Sequence, residues 1–285
     1  MKGADRSMKT KRFSIGQLLI QLFLVIWTVA CLFPLYWLFT FSLKDNNEIF
    51  GGNVVGLPHN WIWSNYANAW GAGKISLYLR NSVITTAVTL LLTLLLSFMS
   101  SYGLLRMRWK GQKVTLTYLL LGLMIPMHAA LLPLLGVLLK LNVLSTHWGL
   151  IIPYTAFNIP MAILIISGFI GAIPYDMEEA AFIDGSGIYR TAFTIILPMM
   201  LPAMVTAAIF VFLQVWNELL MASVFVSSDN VRTLTVGIQQ MFGQYQTDWG
   251  PIGAALVIGT LPTLILYLCM SSQVQRSLIV GAVKG

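Results

Sequence analysis

The sequence predicts an all-α membrane protein of six transmembrane helices with its N- and C-termini in the cytoplasm. Three observations carry that prediction. Of 285 residues, 57% are hydrophobic and 9% are charged, and the mean hydropathy is +0.78. A soluble domain holds about 45–50% apolar and about 25% charged residues, so this chain has too few charges to cover a water-facing surface. Soluble enzymes, nucleic-acid binders and disordered scaffolds are excluded on that ground. Next, six charge-free runs are long enough to cross about 30 Å of hydrocarbon as helices: 13–43, 81–105, 114–139, 141–175, 191–217 and 249–275. Finally, membrane-barrel strands would alternate over about ten residues, and runs such as 87–96 do not alternate.

Orientation follows from the cations behind the net charge of +7. Lys and Arg are retained in cytoplasmic loops. With the N-terminus inside, the inner segments hold Lys2, Arg6, Lys9, Lys11, Arg12, Arg106, Arg108, Lys110, Lys113, Arg190, Arg276 and Lys284. The outer segments hold only Lys44, Lys74, Arg80, Lys140 and Arg232. Trp61, Trp63, Trp70, Trp148 and Trp249 fall at the outer rim, where indole rings favour the interface.

Residues 1–12 are thus a cytoplasmic segment, 13–275 the membrane domain and 276–285 a cytoplasmic tail. The basic start before an apolar run resembles a signal peptide, but the run 13–43 exceeds the roughly 7–15 residues of a signal core and no small-residue cleavage site follows it. The first span is therefore expected to stay uncleaved. Pro34, Pro126, Pro133, Pro153, Pro160, Pro202 and Pro262 sit in or near spans, where each kinks a helix by removing a backbone bond. The stretch 233–247 is too short to span and carries Gln239, Gln240, Gln244 and Gln246, so 226–250 reads as an outer loop. Cys31 and Cys269 lie in apolar runs and read as small hydrophobes. His59, His128 and His147 lack metal-ligand spacing, so no metal site is expected. In the third span, His128 reads as a hydrogen-bonded structural group.

The segment 171–198 between the fourth and fifth runs is the most informative. Pro174 stops the preceding helix. Asp176 is expected to cap a new one, with Glu179 completing a capping box. Met177, Ala180, Ala181 and Asp184 then share one helix face. Gly185 ends that helix, Ser186 caps a second one bearing Ile188, Ala192 and Ile195, and Pro198 marks the return to the membrane. Such a knob suits a partner's groove, or else it packs back under its own bundle.

The same residues match a family motif: Glu179-Ala180-Ala181, then Gly185, then Ile195, Leu197 and Pro198, all at the family's spacing. The chain resembles the permease subunits of binding-protein-dependent ABC importers. Phe33-Pro34-Leu35-Tyr36, Asn65-Tyr66, Asn81-Ser82, Trp216-Asn217-Glu218, Gly243 with Tyr245, Asp248-Trp249 and the tail 281–285 resemble carbohydrate-uptake permeases, most of all the second permease of maltose-type importers. The resemblance implies a type I ABC importer permease fold in the bacterial plasma membrane. It implies a second permease subunit, two ATPase subunits and an extracytoplasmic sugar-binding protein as partners, and lipid around the spans, with no nucleic acid. It further implies that Glu179, Ala180, Ala181, Asp184, Gly185, Ile195, Leu197 and Pro198 dock an ATPase. On this reading Gly281, Lys284 and Gly285 touch the ATPase pair, and Gly243, Gln244, Tyr245, Gln246 and Thr247 reach the binding protein.

No catalytic residue is expected. Gly71-Ala72-Gly73-Lys74 resembles a phosphate loop, but Asn68 stands where the first glycine belongs and Ile75 where Ser or Thr belongs. This chain therefore binds no cofactor, and ATP and Mg belong on the ATPase partners. Glu218, with Gln214 and Asn217 a turn or less away, reads as a polar lining of the substrate pathway near an outer gate, as a contact to an external partner, or as a solvated helix end. Two rival functions stay open: an ABC permease for another solute (glycerol phosphate, polyol or amino acid), and a stand-alone secondary transporter. The second would need coupling carboxylates within its spans or paired repeats, and neither is evident.

Overall fold

The structure is a computed structural model that describes residues 15–243 and 247–282, so segment 1–12 lies outside it. Every element is helical among the described residues. Four helices are long and apolar enough to cross a membrane: α1 Ile15–Phe41, α4 Ile75–Leu105, α7 Trp148–Ile170 and α14 Trp249–Ala282, the last counted over its first 22 residues. Short helices α2 Asn46–Phe50 and α3 Ser64–Trp70 fill the loop after α1.

The third and fifth predicted spans are broken rods. In the third, Gln112–Met124 and Met127–Lys140 meet at 91°. Its regular parts are α5 Gln112–Leu121 and α6 Leu131–Lys140. The break falls at Ile125 and Pro126. A residue before proline is pushed out of the helical region, and Ile125 is extended with ψ 113°. At the elbow, a Cβ on Gly122 would come within 2.7 Å of the Pro160 ring of α7, so only glycine allows that approach.

In the fifth, Ile188–Met199 and Leu201–Trp216 meet at 76°. The helices here are α8 Asp176–Ile183, α9 Ile188–Thr191, α10 Leu197–Met199 and α11 Leu201–Trp216, with a wider π turn over Ala192–Ile196. The bend comes at Met200, just before Pro202, which has no N–H to continue the ladder. Pro34, Pro153, Pro160 and Pro262 instead sit within continuous helices. Helices α12 Leu220–Phe225 and α13 Leu234–Gln239 then form the segment before α14.

The core is built on α4 against α7. Asn81, Thr85, Thr89, Thr93, Ser97 and Ser101 recur every fourth residue along α4, and all are buried. Lipid supplies no hydrophobic drive between helices, so close approach over small residues holds membrane bundles together. Three apolar clusters flank this seam. One centres on Leu150, Tyr154 and Phe225, one on Ile75, Trp216 and Ile252, and one on Phe98, Ile166 and Ile196. By contrast α1 is exposed from Ile15 to Tyr36 and touches the bundle only near Thr40 and Phe41. Cys31 and Cys269 are exposed on these outer surfaces rather than packed, and His128 is exposed at the elbow rather than held in the bundle.

Candidate functional site

One end of the bundle carries the helix–turn–helix. Its first helix is set differently from expectation. Tyr175 takes the cap position and Asp176 lies inside the first turn, so the expected capping box is not made. Asp176, Glu178 and Glu179 instead occupy that turn together, where the helix dipole favours negative charge.

Glu178 points inward. Its carboxylate lies 3.5 Å from Arg106 Nε, and both side chains are almost wholly buried. Arg106 Nη2 also donates to the carbonyls of Ile170 (2.8 Å) and Ile173 (2.6 Å). The guanidinium sits 4.3 Å over the Tyr175 ring, and Tyr175 Oη donates to the Leu105 carbonyl at 3.1 Å. Arg106 thereby joins the ends of α4 and α7 to the start of α8.

The proposed face of α8 is split. Ala181 is buried one turn beyond Glu178, whereas Met177, Glu179, Ala180, Ile183 and Asp184 are exposed. Ile183 is 86% exposed and Tyr189 of α9 75%, so these large side chains are mostly uncovered by the described residues. Gly185 has φ +78°, its N–H donates to Phe182 O, and Ser186 N–H donates to Ala181 O. That pair of bonds closes the helix in a left-handed turn that glycine adopts freely. Gly187, not Ser186, caps α9, and Ser186 Oγ accepts from Thr191 Oγ1. Ile195 and Leu197 are half-buried and Pro198 is exposed. A groove of about 610 Å³ runs beside this knob, lined by Arg106, Arg108, Tyr175, Glu179, Phe182 and Ile188 among others.

The opposite end is a set of clamps. Asn65 Nδ2 donates to the carbonyls of Ser42 and Lys44. Asn81 Nδ2 donates to those of Asn230 and Arg232, and Ser82 Oγ accepts from Leu234 N–H. Asn46 donates to the Thr247 carbonyl and accepts from Trp249 N–H. Gly243 is exposed, and Gln244, Tyr245 and Gln246 lie outside the described residues, as do Lys284 and Gly285. Gly281 falls in the last turn of α14, so the first part of the expected tail is helical. His147 accepts or donates at Thr85 Oγ1, 3.1 Å away, and burial, helped by the Arg80 charge, pushes its imidazole below the ordinary value.

Glu218 is neither a solvated end nor an open lining. It is buried and receives Tyr154 Oη and the N–H groups of Met221 (2.7 Å) and Ala222 (3.0 Å), so it caps α12. Gln214 and Asn217 are exposed, Gln214 lying 3.6 Å from Met127 Sδ. Asn217 lines a groove of about 230 Å³ between α11, α13 and α14. The sequence reasoning missed Arg106, Glu178 and Tyr154. Among the described residues no three His, Cys, Asp or Glu side chains come together as metal ligands.

Comparison with known proteins agrees with this architecture. The model for the binding-protein-dependent transport system inner membrane component matches residues 93–278. The probable ABC transporter permease protein YurM of Bacillus subtilis is 36% identical over 96% of this chain and 91% of its own length. The diacetylchitobiose uptake system permease protein NgcG of Streptomyces coelicolor is 34% identical over 90% of this chain and 86% of its own. The trehalose/maltose transport system permease protein MalG of Thermococcus litoralis is 30% identical over 95% of this chain and 98% of its own. In fold, a chain of a bacterial ABC transporter involved in the import of the acidic polysaccharide alginate superposes with a TM-score of 0.79, covering 92% of this chain and 99% of that one at 19% identity. The chain belongs to the binding-protein-dependent transport system inner membrane component family: it is a multi-pass permease subunit of an ABC importer in the plasma membrane, and ATP hydrolysis falls to a separate subunit.

Proposed function

We propose that this chain is one of two different permeases through which a neutral sugar or oligosaccharide, delivered by an extracytoplasmic binding protein, enters the cell. The observation that carries the reading is the intact α8–α9 knob, fixed to α4 and α7 by Arg106 yet exposing Met177, Ile183 and Tyr189. Exposed apolar side chains rimmed by charge suit a partner surface. The knob end faces the cytoplasm on this reading, as the Lys and Arg distribution favours. Glu179, Ala180, Asp184 and Gly185 meet an ATPase there, while Ala181, Ile195 and Leu197 brace the knob from within. ATP and Mg are held by two ATPase subunits. Their closure pushes the knobs and turns the permease pair outward.

The sugar reading is supported by the substrates for which the relatives are named, which include diacetylchitobiose and trehalose/maltose. Gln214 and Asn217 are the pathway residues in this proposal. Glu218 shapes the pathway from behind by capping α12. Gly243 to Thr247 face the binding protein, and Gly281, Lys284 and Gly285 lie toward the ATPases.

The test is purification of the tagged chain from its own membrane in mild detergent, followed by mass spectrometry and by uptake of labelled maltose, trehalose and N,N′-diacetylchitobiose. Recovery of a second permease and an ATPase, with uptake of at least one sugar, is the expected result. A chain that purifies alone and transports when reconstituted alone would reject the proposal.

A further inference from the structure

We infer that the groove between α11, α13 and α14 is a subsite of the translocation pathway for one neutral sugar ring, read by Asn217, Thr260 and Thr263. This rests on the sugar reading above. The groove of about 230 Å³ has Trp216, Leu234, Ile238, Leu256 and Gly259 for walls, with the three polar side chains and Thr235 between them. Its volume equals that of about eight liquid waters, which is the scale of a single sugar ring.

Depth argues for a water-filled path. Thr260 and Thr263 lie eleven and fourteen residues beyond Trp249 in one continuous helix. At 1.5 Å per residue that is roughly 16–21 Å from the rim, past the centre of a core about 30 Å thick. A hydroxyl left without a partner at that depth is costly against lipid and suits a bundle interior or a wet cavity. Both threonines are only half-buried in this chain, so the groove opens outward.

The hydrogen-bond inventory then selects the ligand. Thr260 Oγ1 donates to Leu256 O and keeps its lone pairs. Asn217 Nδ2 donates to Leu213 O, which leaves Oδ1 to accept. A threonine in a helix usually donates back to the carbonyl four residues earlier. For Thr263 that carbonyl belongs to Gly259, and it already accepts Trp216 Nε1 at 3.0 Å. The Thr263 hydroxyl has no partner among the described residues. Phe212 stacks on Trp216 at 5.4 Å, which fixes the indole as a wall. The site thus offers acceptors and one free hydroxyl beside apolar walls, and no charged side chain lines it. Hydroxyl groups of a neutral sugar satisfy those acceptors, while its C–H face meets Leu256 and Ile238. A phosphate-bearing solute finds no cation here.

The experiment uses the assembled importer in inverted and right-side-out vesicles, with Cys31 and Cys269 replaced by Ser and Thr263→Cys introduced. Uptake of labelled maltose, trehalose and N,N′-diacetylchitobiose identifies a carried sugar. A charged methanethiosulfonate reagent then probes the cysteine, with and without that sugar, the binding protein and ATP. The expected result is labelling from water, slowed at least about fivefold while sugar is in transit. In the cysteine-containing chain, Thr263→Val raises KM about tenfold and Thr263→Ser restores it, with the partner subunits still co-purifying. An unlabelled cysteine, labelling indifferent to sugar, or an unchanged KM in Thr263→Val would overturn the subsite while leaving the importer reading intact. Uptake of none of the three sugars by a complex that still contains the ATPases would reject the sugar reading, and the subsite with it.

Discussion

Arg106 closes α4 onto Glu178 of α8 across 3.5 Å, in a contact from which water is almost wholly excluded. The pair ties a residue of the α8–α9 knob to α4, whose buried polar face packs against α7. The knob therefore moves with α4 and α7 rather than as a loose loop.

Arg106→Ala leaves the Glu178 carboxylate buried without its cation and the Ile170 and Ile173 carbonyls without the Arg106 donor. Breaking a buried pair from one side costs about 3–5 kcal/mol. The expected outcome is a lowered melting temperature of the complex and loss of uptake, with ATP hydrolysis no longer following the loaded binding protein. Arg106→Lys should rescue little, because an ammonium cannot stack on Tyr175 and reach both carbonyls at once. Unchanged uptake in Arg106→Ala would sink the link.

Gly185→Val should uncouple the knob without crowding it. A Cβ there meets nothing within 4 Å, but φ is +78°. A left-handed residue that is not glycine costs about 1–2 kcal/mol, and a β-branched one more. Gly185→Asn should retain most ATPase in a pull-down, while Gly185→Val retains little. Glu179→Arg should also abolish uptake while the chain stays in the membrane.

Glu218 is predicted to act on stability before transport. Glu218→Ala strips the shared acceptor from Tyr154 Oη and from the N–H groups of Met221 and Ala222, at about 1–3 kcal/mol for each unsatisfied group. Thermal unfolding of the purified complex should fall steeply in Glu218→Ala and more mildly in Tyr154→Phe. A double-mutant cycle should show strong coupling between the two.

The Lys74–Asp229 contact of 2.6 Å sets a pH window for the segment 227–232. The hydrogen bond from Lys74, with Arg232 nearby, holds the Asp229 carboxyl below its ordinary 3.8 despite some opposing burial. The same bond holds the Lys74 ammonium above 10.5. The Asp229 contribution is complete above pH 3.8 and fades as pH falls through the lowered value. That of Lys74 is complete below pH 10.5 and fades as pH rises through the raised one. Amide exchange over 227–232, corrected for its intrinsic pH dependence, should therefore be flat between about pH 5 and 9 and faster throughout in Asp229→Asn.

Much of this was legible in the sequence. Runs of apolar residues mark spans by length alone, and Gly185 marks a turn because few other residues tolerate positive φ. The breaks at Ile125 and Met200 were less legible, since Pro153, Pro160 and Pro262 occupy unbroken helices and proline does not say by itself whether neighbours will hold a kink closed. Glu178 was overlooked because it sits beside Glu179 in an acidic pair, and only tertiary packing tells which one turns inward. Its signal was Arg106, a cation at the end of a span. The four-residue spacing from Asn81 to Ser101 was open to reading as a packing seam. Glu218 appeared to be a pathway group because a lone carboxylate at a span end has no visible partner until α7 brings Tyr154 beside it.

The clamps at the end opposite the knob have a consequence for biosynthesis. Asn81 finds its carbonyl partners 149 and 151 residues later, Ser82 its donor 152 residues later, and Asn46 its partners 201 and 203 residues later. Chains emerge from the ribosome N-terminus first, so α4 is threaded into the bilayer long before those partners exist. During that interval Asn81 and Ser82 must be solvated by water at the headgroup level or shielded by the insertion machinery. The nascent permease is thus an open half-structure until α13 and α14 arrive, and a ribosome stalled before residue 230 leaves a span with unmet polar groups that quality-control proteases can find.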